Sequence, residues 1–185
     1  MKKLGTLLTV AAVAVICTPA LAAHLDNPNL VVDGGFEGTL TTDGPPFEGT
    51  WEGFMSGDGT AEFSTEMPRN GAQSLKASTA SDNQFAGVFQ DIRFPQTGLE
   101  GADAWFSGWH KLVGDAGGPE IRIEWRNSAT GQEVTRTPNL TEDAGTDYSE
   151  FILATTIPAG ANIARVVYAV QSFGSATTQS VFVDD

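Results

Sequence analysis

Beyond its first 22 residues the chain has no cysteine, because its one cysteine is Cys17. No disulfide and no thiol nucleophile is therefore available to the mature protein. Histidine is almost as scarce, with only His24 and His110, so neither a histidine-bearing triad nor a multi-histidine zinc site has enough ligands. Basic residues number 10 against 23 acids, giving a formal net charge of −13, and they nowhere cluster. Such a surface repels phosphate backbones and anionic lipid, which excludes nucleic-acid and membrane-surface partners. G-x-S-x-G, P-loop and H-E-x-x-H patterns are absent. No stretch past residue 22 keeps apolar residues at helical spacing for three turns, so helical bundles and α/β folds are excluded as well.

What is present begins with a leader, MKKLGTLLTVAAVAVICTPALA. Lys2 and Lys3 form a basic start, Leu4 to Cys17 an apolar run, and Ala20-Leu21-Ala22 a small-residue cleavage site. This is the pattern of a secretory signal peptide over residues 1–22. The apolar run falls short of the ~20 residues that a membrane span needs. Ile16 stands where lipoprotein processing requires a small side chain before the cysteine. The expected location is secreted or periplasmic, with cleavage near Ala22 and no membrane insertion. Residues 23–185, about 160 in number, fit one domain able to bury a core without covalent staples. Losing Lys2 and Lys3 makes the mature surface still more acidic. That acidity suits calcium-containing or salty surroundings, or serves solubility alone.

Period-two alternation recurs along the rest of the chain and predicts strands at 30–32, 61–64, 74–78, 86–94, 104–113, 120–126, 150–156, 163–171 and 180–184. Turn chemistry separates them at 43–46, 56–59, 68–71 and 128–131, with further breaks at 115–118 and 158–160. Many short strands without crossover helices specify an all-β, antiparallel two-sheet sandwich. Alternation also assigns faces. Ile121, Ile123 and Trp125 share one side, opposite Arg122, Glu124 and Arg126. Trp105, Ser107, Trp109 and Lys111 share a side, opposite Phe106, Gly108 and His110. Val166, Tyr168 and Val170 face together, with Arg165 and Gln171 opposite. Each central strand thus has an apolar side and a polar–aromatic side, and the latter is a candidate binding surface. Phe89 lies opposite Val88, Gln90 and Ile92, and one of those two sides reaches that surface.

The motifs NLVVDGGFEG, RNGAQSLKAS, GVFQDIRF, AWFSGWHK, EIRIEWRNSATGQ, TIPAGANIARVVYAV and SVFVDD occur in this order over roughly residues 28–185. In order and spacing the chain resembles carbohydrate-binding modules of the galactose-binding-like jelly-roll group, especially those that bind xylan and β-glucan chains. The resemblance implies a structural calcium at the edge where the first and last strands meet. Glu37 and Asp184 would supply carboxylates, and backbone carbonyls of the Asn70-Gly71 turn the remaining oxygens. Calcium takes several such oxygens, and burying two carboxylates together without a cation is costly. A plain surface turn with solvated acids is the alternative. The family's pattern continues past Asp185 with another apolar residue or two.

A sandwich that binds sugars needs aromatic platforms for pyranose faces and polar groups for hydroxyls. Trp109 and Trp105 are the first candidates, sharing their side with Lys111, and Arg122, Glu124 and Gln171 are candidate hydroxyl partners. Trp51 and Trp125 read as core. No catalytic set is expected. The acids Glu142, Asp143, Asp147 and Glu150 read as a solvated loop, and a glycosidase would need two carboxylates facing across a cleft. The expected function is a secreted, non-catalytic module holding a polysaccharide or oligosaccharide, stabilised by calcium. The alternatives are an extracellular structural or adhesive sandwich, and the leading module of a longer polysaccharide-degrading enzyme.

Overall fold

In the computed structural model, residues 29–45, 47, 49–114, 118–142, 144–172 and 179–185 are described, and the leader lies outside them. The described strands are β1 (Leu40–Thr41), β2 (Trp51–Met55), β3 (Thr60–Ser64), β4 (Ser74–Thr79), β5 (Phe85–Arg93) and β6 (Asp103–Gly114). They continue as β7 (Gly118–Asn127), β8 (Gln132–Arg136), β9 (Ser149–Thr156), β10 (Ile163–Gln171) and β11 (Gln179–Asp184). Two sheets form, one in the order β1-β2-β5-β10-β7-β8 and the other β3-β4-β11-β6-β9. All ladders are antiparallel except the short β1–β2 pair, which is parallel. This is the expected all-β sandwich.

Alternation decides what fills it. From the six-stranded sheet come Trp51, Val88, Ile121, Ile123, Trp125, Val166, Tyr168 and Val170, and from the five-stranded sheet Leu75, Ala77, Phe106, Phe151, Val181 and Val183, all buried in one cluster. Each large apolar side chain in that layer contributes about 1.5–3 kcal/mol relative to exposure. Trp51 and Trp125 are core, as read from the sequence, and the Trp51 indole donates to the Asp33 carbonyl at 2.9 Å.

The segment expected as a strand at 30–32 is not one. Of its apolar residues only Val31 packs on the core, Leu30 and Val32 being exposed, and the backbone of Val32 is taken by a side chain instead of a ladder. Its N–H donates to Gln90 Oε1 and its carbonyl accepts from Gln90 Nε2, both at 2.8 Å. Asp33 and Phe36 then adopt φ of 55°, which ends any extended run. Three strands went unread. β1 has two residues, β2 is interrupted by Gly53, and β8 is a polar edge strand with no apolar side to reveal it.

One polar contact crosses the core. His110 of β6 and Tyr168 of β10 are both 1 % exposed, and His110 Nδ1 lies 2.9 Å from the tyrosine hydroxyl. Burial lowers the His110 pKa from 6.5 to about 4. A depressed base is protonated more readily in the unfolded chain, so its stabilising contribution is complete above pH 6.5 and is lost as pH falls towards 4. Between pH 7 and 4 the wild type is expected to lose on the order of 3 kcal/mol more than a His110→Gln variant in denaturant titrations. Parallel pH profiles for the two proteins would contradict this.

Candidate functional site

The register divides the expected sugar-binding residues between two surfaces. Trp105, Trp109 and Lys111 stand on the outer face of the five-stranded sheet, since their neighbours Phe106, Gly108 and His110 face the core. Arg122, Glu124 and Gln171 stand on the outer face of the six-stranded sheet, on β7 and β10. These are opposite sides of the sandwich, so the six residues cannot line one groove. Trp109 is further constrained, because the Arg69 guanidinium lies 4.0 Å from its ring centroid and covers a face that a sugar would use. Trp105 is 52 % exposed, beside the β9 strand that carries Ile152, also 52 % exposed.

The outer face of the six-stranded sheet has a different composition. Its register places Arg122, Val167, Phe89 and Glu52 in one row across four strands. The next row in one direction is Glu124, Arg165 and Asp91. In the other direction come Glu120, Ala169, Gly87 and Phe54, and then Gly118, Gln171 and Phe85. Ala169 and Gly87 are short residues between rows of long ones, so they floor a trough running across the strands. A Cβ on Gly87 would lie 2.4 Å from the Tyr168 carbonyl oxygen and 2.7 Å from Ala169, so that floor must be bare. Phe54 sits 5.9 Å from Phe85 and 6.2 Å from Phe89, ring centre to ring centre. A small cleft of about 160 Å³ opens beside them, lined by Phe54, Phe89, Arg122, Glu124, Arg165 and Val167.

The charges on this face are held in place by one another. Arg165 makes a two-pronged pair with Asp91, at 2.7 and 2.9 Å, while its guanidinium carbon lies 3.9 Å over the Phe89 ring. Glu124, only 6 % exposed, receives Arg122 at 2.9 Å and Arg126 at 3.4 Å, with Arg136 at 3.8 Å. Planar guanidinium–carboxylate pairs of this kind are rigid and keep donors to spare. Rings for stacking and fixed polar groups for hydroxyls thus lie within one surface. Phe54, Phe85 and Glu120 were not singled out from the sequence, and only strand register, which a single chain does not show, brings them to Arg122 and Gln171.

The expected calcium residues do converge. The turn of residues 69–73 directs four backbone N–H groups at two carboxylates. Asp184 Oδ2 accepts from Arg69 at 2.6 Å and Asn70 at 3.0 Å, while Glu37 Oε1 accepts from Ala72 at 2.7 Å and Gln73 at 3.2 Å. Asp185 pairs with the Arg69 guanidinium and the Asn70 side-chain amide. Gly71 has φ of 66°, and a Cβ there would lie 1.9 Å from Glu37 Oε1. Burial pushes the Asp184 pKa up, and the Asn70 and Arg69 N–H groups pull it back in part. The donor set fits a hard divalent cation in kind: Glu37 keeps Oε2 clear of the described hydrogen bonds, and Asp184 Oδ1 accepts only the Asp185 N–H, at 3.0 Å. Among the described residues no third acid, histidine or cysteine joins them, so the further oxygens would be backbone or water.

No protein-family model and no curated protein matches the chain. Solved structures do. The chain is similar to a family 16 carbohydrate-binding module, with TM-score 0.54 and 17 % identity over 85 % of this chain and 96 % of that one. It is similar to the module TmCBM61 in complex with β-1,4-galactotriose, with TM-score 0.53 and 14 % identity over 85 % and 95 %. It also matches the enzymatically active domain of tailspike protein 4 from bacteriophage CBA120, with TM-score 0.56 and 16 % identity over 72 % of this chain, but it spans only 18 % of that protein. The fold is that of carbohydrate-binding-module β-sandwiches.

The corner yields a prediction of its own. Gly71→Ala forces a strained φ and a clash with Glu37, and is expected to lower unfolding stability by about 1–3 kcal/mol. Urea titration checks this; an unchanged midpoint would show that the turn does not need Gly71.

Proposed function

We propose that the protein is a secreted, non-catalytic carbohydrate-binding module that holds a polysaccharide chain across the outer face of its six-stranded sheet. The observation that carries this reading is the trough floored by Gly87 and Ala169, with Phe54, Phe85 and Phe89 on its borders and ion-paired Arg122, Glu124 and Arg165 beside the rings. Pyranose rings stack through their C–H faces on Phe54 and Phe85, Phe89 lying buried beneath Arg165, while the guanidinium and carboxylate groups and Gln171 bond the hydroxyls. Support comes also from the shared fold, one such module having been solved with β-1,4-galactotriose. Binding of this kind involves no covalent step. The leader of residues 1–22 carries the protein out of the cytoplasm.

In this reading Trp105 and Trp109 leave the sugar site, and the phenylalanines take the stacking role. Titrating a panel of soluble glycans (xylan, β-1,4-galactan, mixed-linkage β-glucan) by calorimetry is expected to find one that saturates the protein. Phe54→Ala and Phe85→Ala should each weaken it by about tenfold, while Trp105→Ala leaves affinity within about twofold. The opposite order of effects would move the site to the five-stranded sheet. Absence of binding by the folded protein to every glycan would favour a structural sandwich.

Calcium belongs to the same proposal. Glu37 and Asp184 would hold it, with backbone oxygen from the Gly71 turn, and the ion would neutralise a buried carboxylate and lock the corner. Left alone, an acid with a raised pKa favours folding at low pH, and that contribution is lost as pH climbs through the folded value. A bound cation reverses the sign, because it needs the ionised form. At neutral pH, calcium at a hundred times its dissociation constant should therefore stabilise the protein by about 2.7 kcal/mol. A chelator should lower the melting temperature, and Glu37→Gln should abolish that shift. A chelator-insensitive melt would leave the corner as a hydrogen-bonded clamp without metal.

A further inference from the structure

The outermost strand of a sheet presents a row of unpaired N–H and C=O groups, and folds block such rows with short strands, charges or bulges. Among the described residues the two sheets end in β1, β8, β3 and β9. The first three are blocked. β1 has two residues. β8 carries Glu133 and Arg136, paired with each other at 2.6 Å, and its ladder to β7 shifts register between Trp125 and Arg126. β3 has five residues and carries Glu62, 3.9 Å from the Lys76 ammonium. β9 has none of these devices. It runs for eight residues, SEFILATT, in unbroken register with β6, with no proline, no basic residue and one acid, Glu150.

Two hydrogen bonds beside this ladder fix which way its backbone groups point. The Ile157 N–H donates to the Ala102 carbonyl at 2.9 Å, and the Leu112 N–H donates to the Gly145 carbonyl at 2.8 Å. With the register, they direct the backbone groups of Phe151, Leu153 and Thr155 to β6. Those of Glu150, Ile152 and Ala154 point to the free edge, where no hydrogen bond among the described residues reaches them. The side chains of the same three residues are exposed on the outer face, beside Trp109, Ser107 and Trp105. Ile152 and Trp105 are each 52 % exposed, so the open edge is also apolar.

From the one unblocked edge we infer that β9 is a self-association strand, which pairs antiparallel with β9 of a second copy and joins the two five-stranded sheets into one. A strand paired with itself is related by a twofold axis. Ile152 then meets Ile152 of the second copy, and Glu150 meets Ala154, each pair exchanging two backbone hydrogen bonds. The two isoleucines touch on the outer face between the two Trp105 rings. The only charged side chains of the strand stand four positions apart, about 13 Å, which exceeds the Debye length of about 8 Å at physiological salt. A foreign strand would have to bring an apolar, nearly uncharged segment of its own, whereas a second copy supplies one by symmetry. The net charge of −13 on each copy opposes the contact, so salt favours it. None of this rests on the glycan reading. If that reading holds, the twofold turns both six-stranded faces to the same side, where one long polysaccharide can occupy both.

Sedimentation velocity of the protein from about micromolar to about millimolar concentration tests the inference. A reversible monomer–dimer equilibrium is expected, shifted to dimer by added salt, with slowed amide exchange at Glu150, Ile152 and Ala154. Ile152→Lys sets two ammonium groups face to face at the twofold and should weaken the dimer at least about tenfold. Ala154→Lys places a cation opposite Glu150 of the second copy and should strengthen the dimer about two- to tenfold, a gain that salt removes. Both positions are exposed, so the monomer's fold should survive either change. A monomer at every concentration, a dimer untouched by Ile152→Lys, no gain from Ala154→Lys, or a dimer without protection at the three amides would each overturn the inference.

Discussion

Two carboxylates hold two separate parts of the chain to one turn. Glu37 lies in the irregular segment before β1, Asp184 ends β11, and both accept backbone N–H groups from residues 69–73 between β3 and β4. Charge-assisted bonds of this sort are stronger than neutral ones and fix geometry as well as energy. Here they set where the Arg69 side chain goes. Arg69 then pairs with Asp185 and lies on Trp109. One corner thereby takes Trp109 out of use as a sugar platform.

The two outer faces follow from that arrangement. On the five-stranded sheet, Trp109 is covered by Arg69, while Trp105 stands half exposed beside β9. On the six-stranded sheet, ion pairs pin the long side chains around a floor of Gly87 and Ala169. The second face is the one suited to a polymer with flat, hydroxylated rings. A core bridged by the His110–Tyr168 contact separates the two faces.

Much of the fold was legible because alternation is a local property. The strand of residues 163–171 was read to its ends, and the inward side of 121–125 was right, since apolar residues at period two need only one buried face to declare themselves. The polar strand Gln132–Arg136 carries no such signal. The apolar run at 30–32 carries the signal but pairs with the Gln90 amide instead of a strand. The candidate site was harder for a related reason. Alternation tells inward from outward but not which sheet a strand joins, so Trp105 and Arg122 were grouped although the core lies between them. The acidic corner was legible because the resemblance, and not periodicity, linked Glu37, Gly71 and Asp184.

The central claim is that the six-stranded sheet carries the glycan site. Backbone amide NMR with the best-binding glycan from a panel tests it most directly. The account predicts shift changes concentrated at Phe54, Phe85, Gly87, Phe89, Arg122 and Ala169, with Trp105 and Ser107 unmoved. Changes concentrated at Trp105, Ser107 and Trp109 would contradict it.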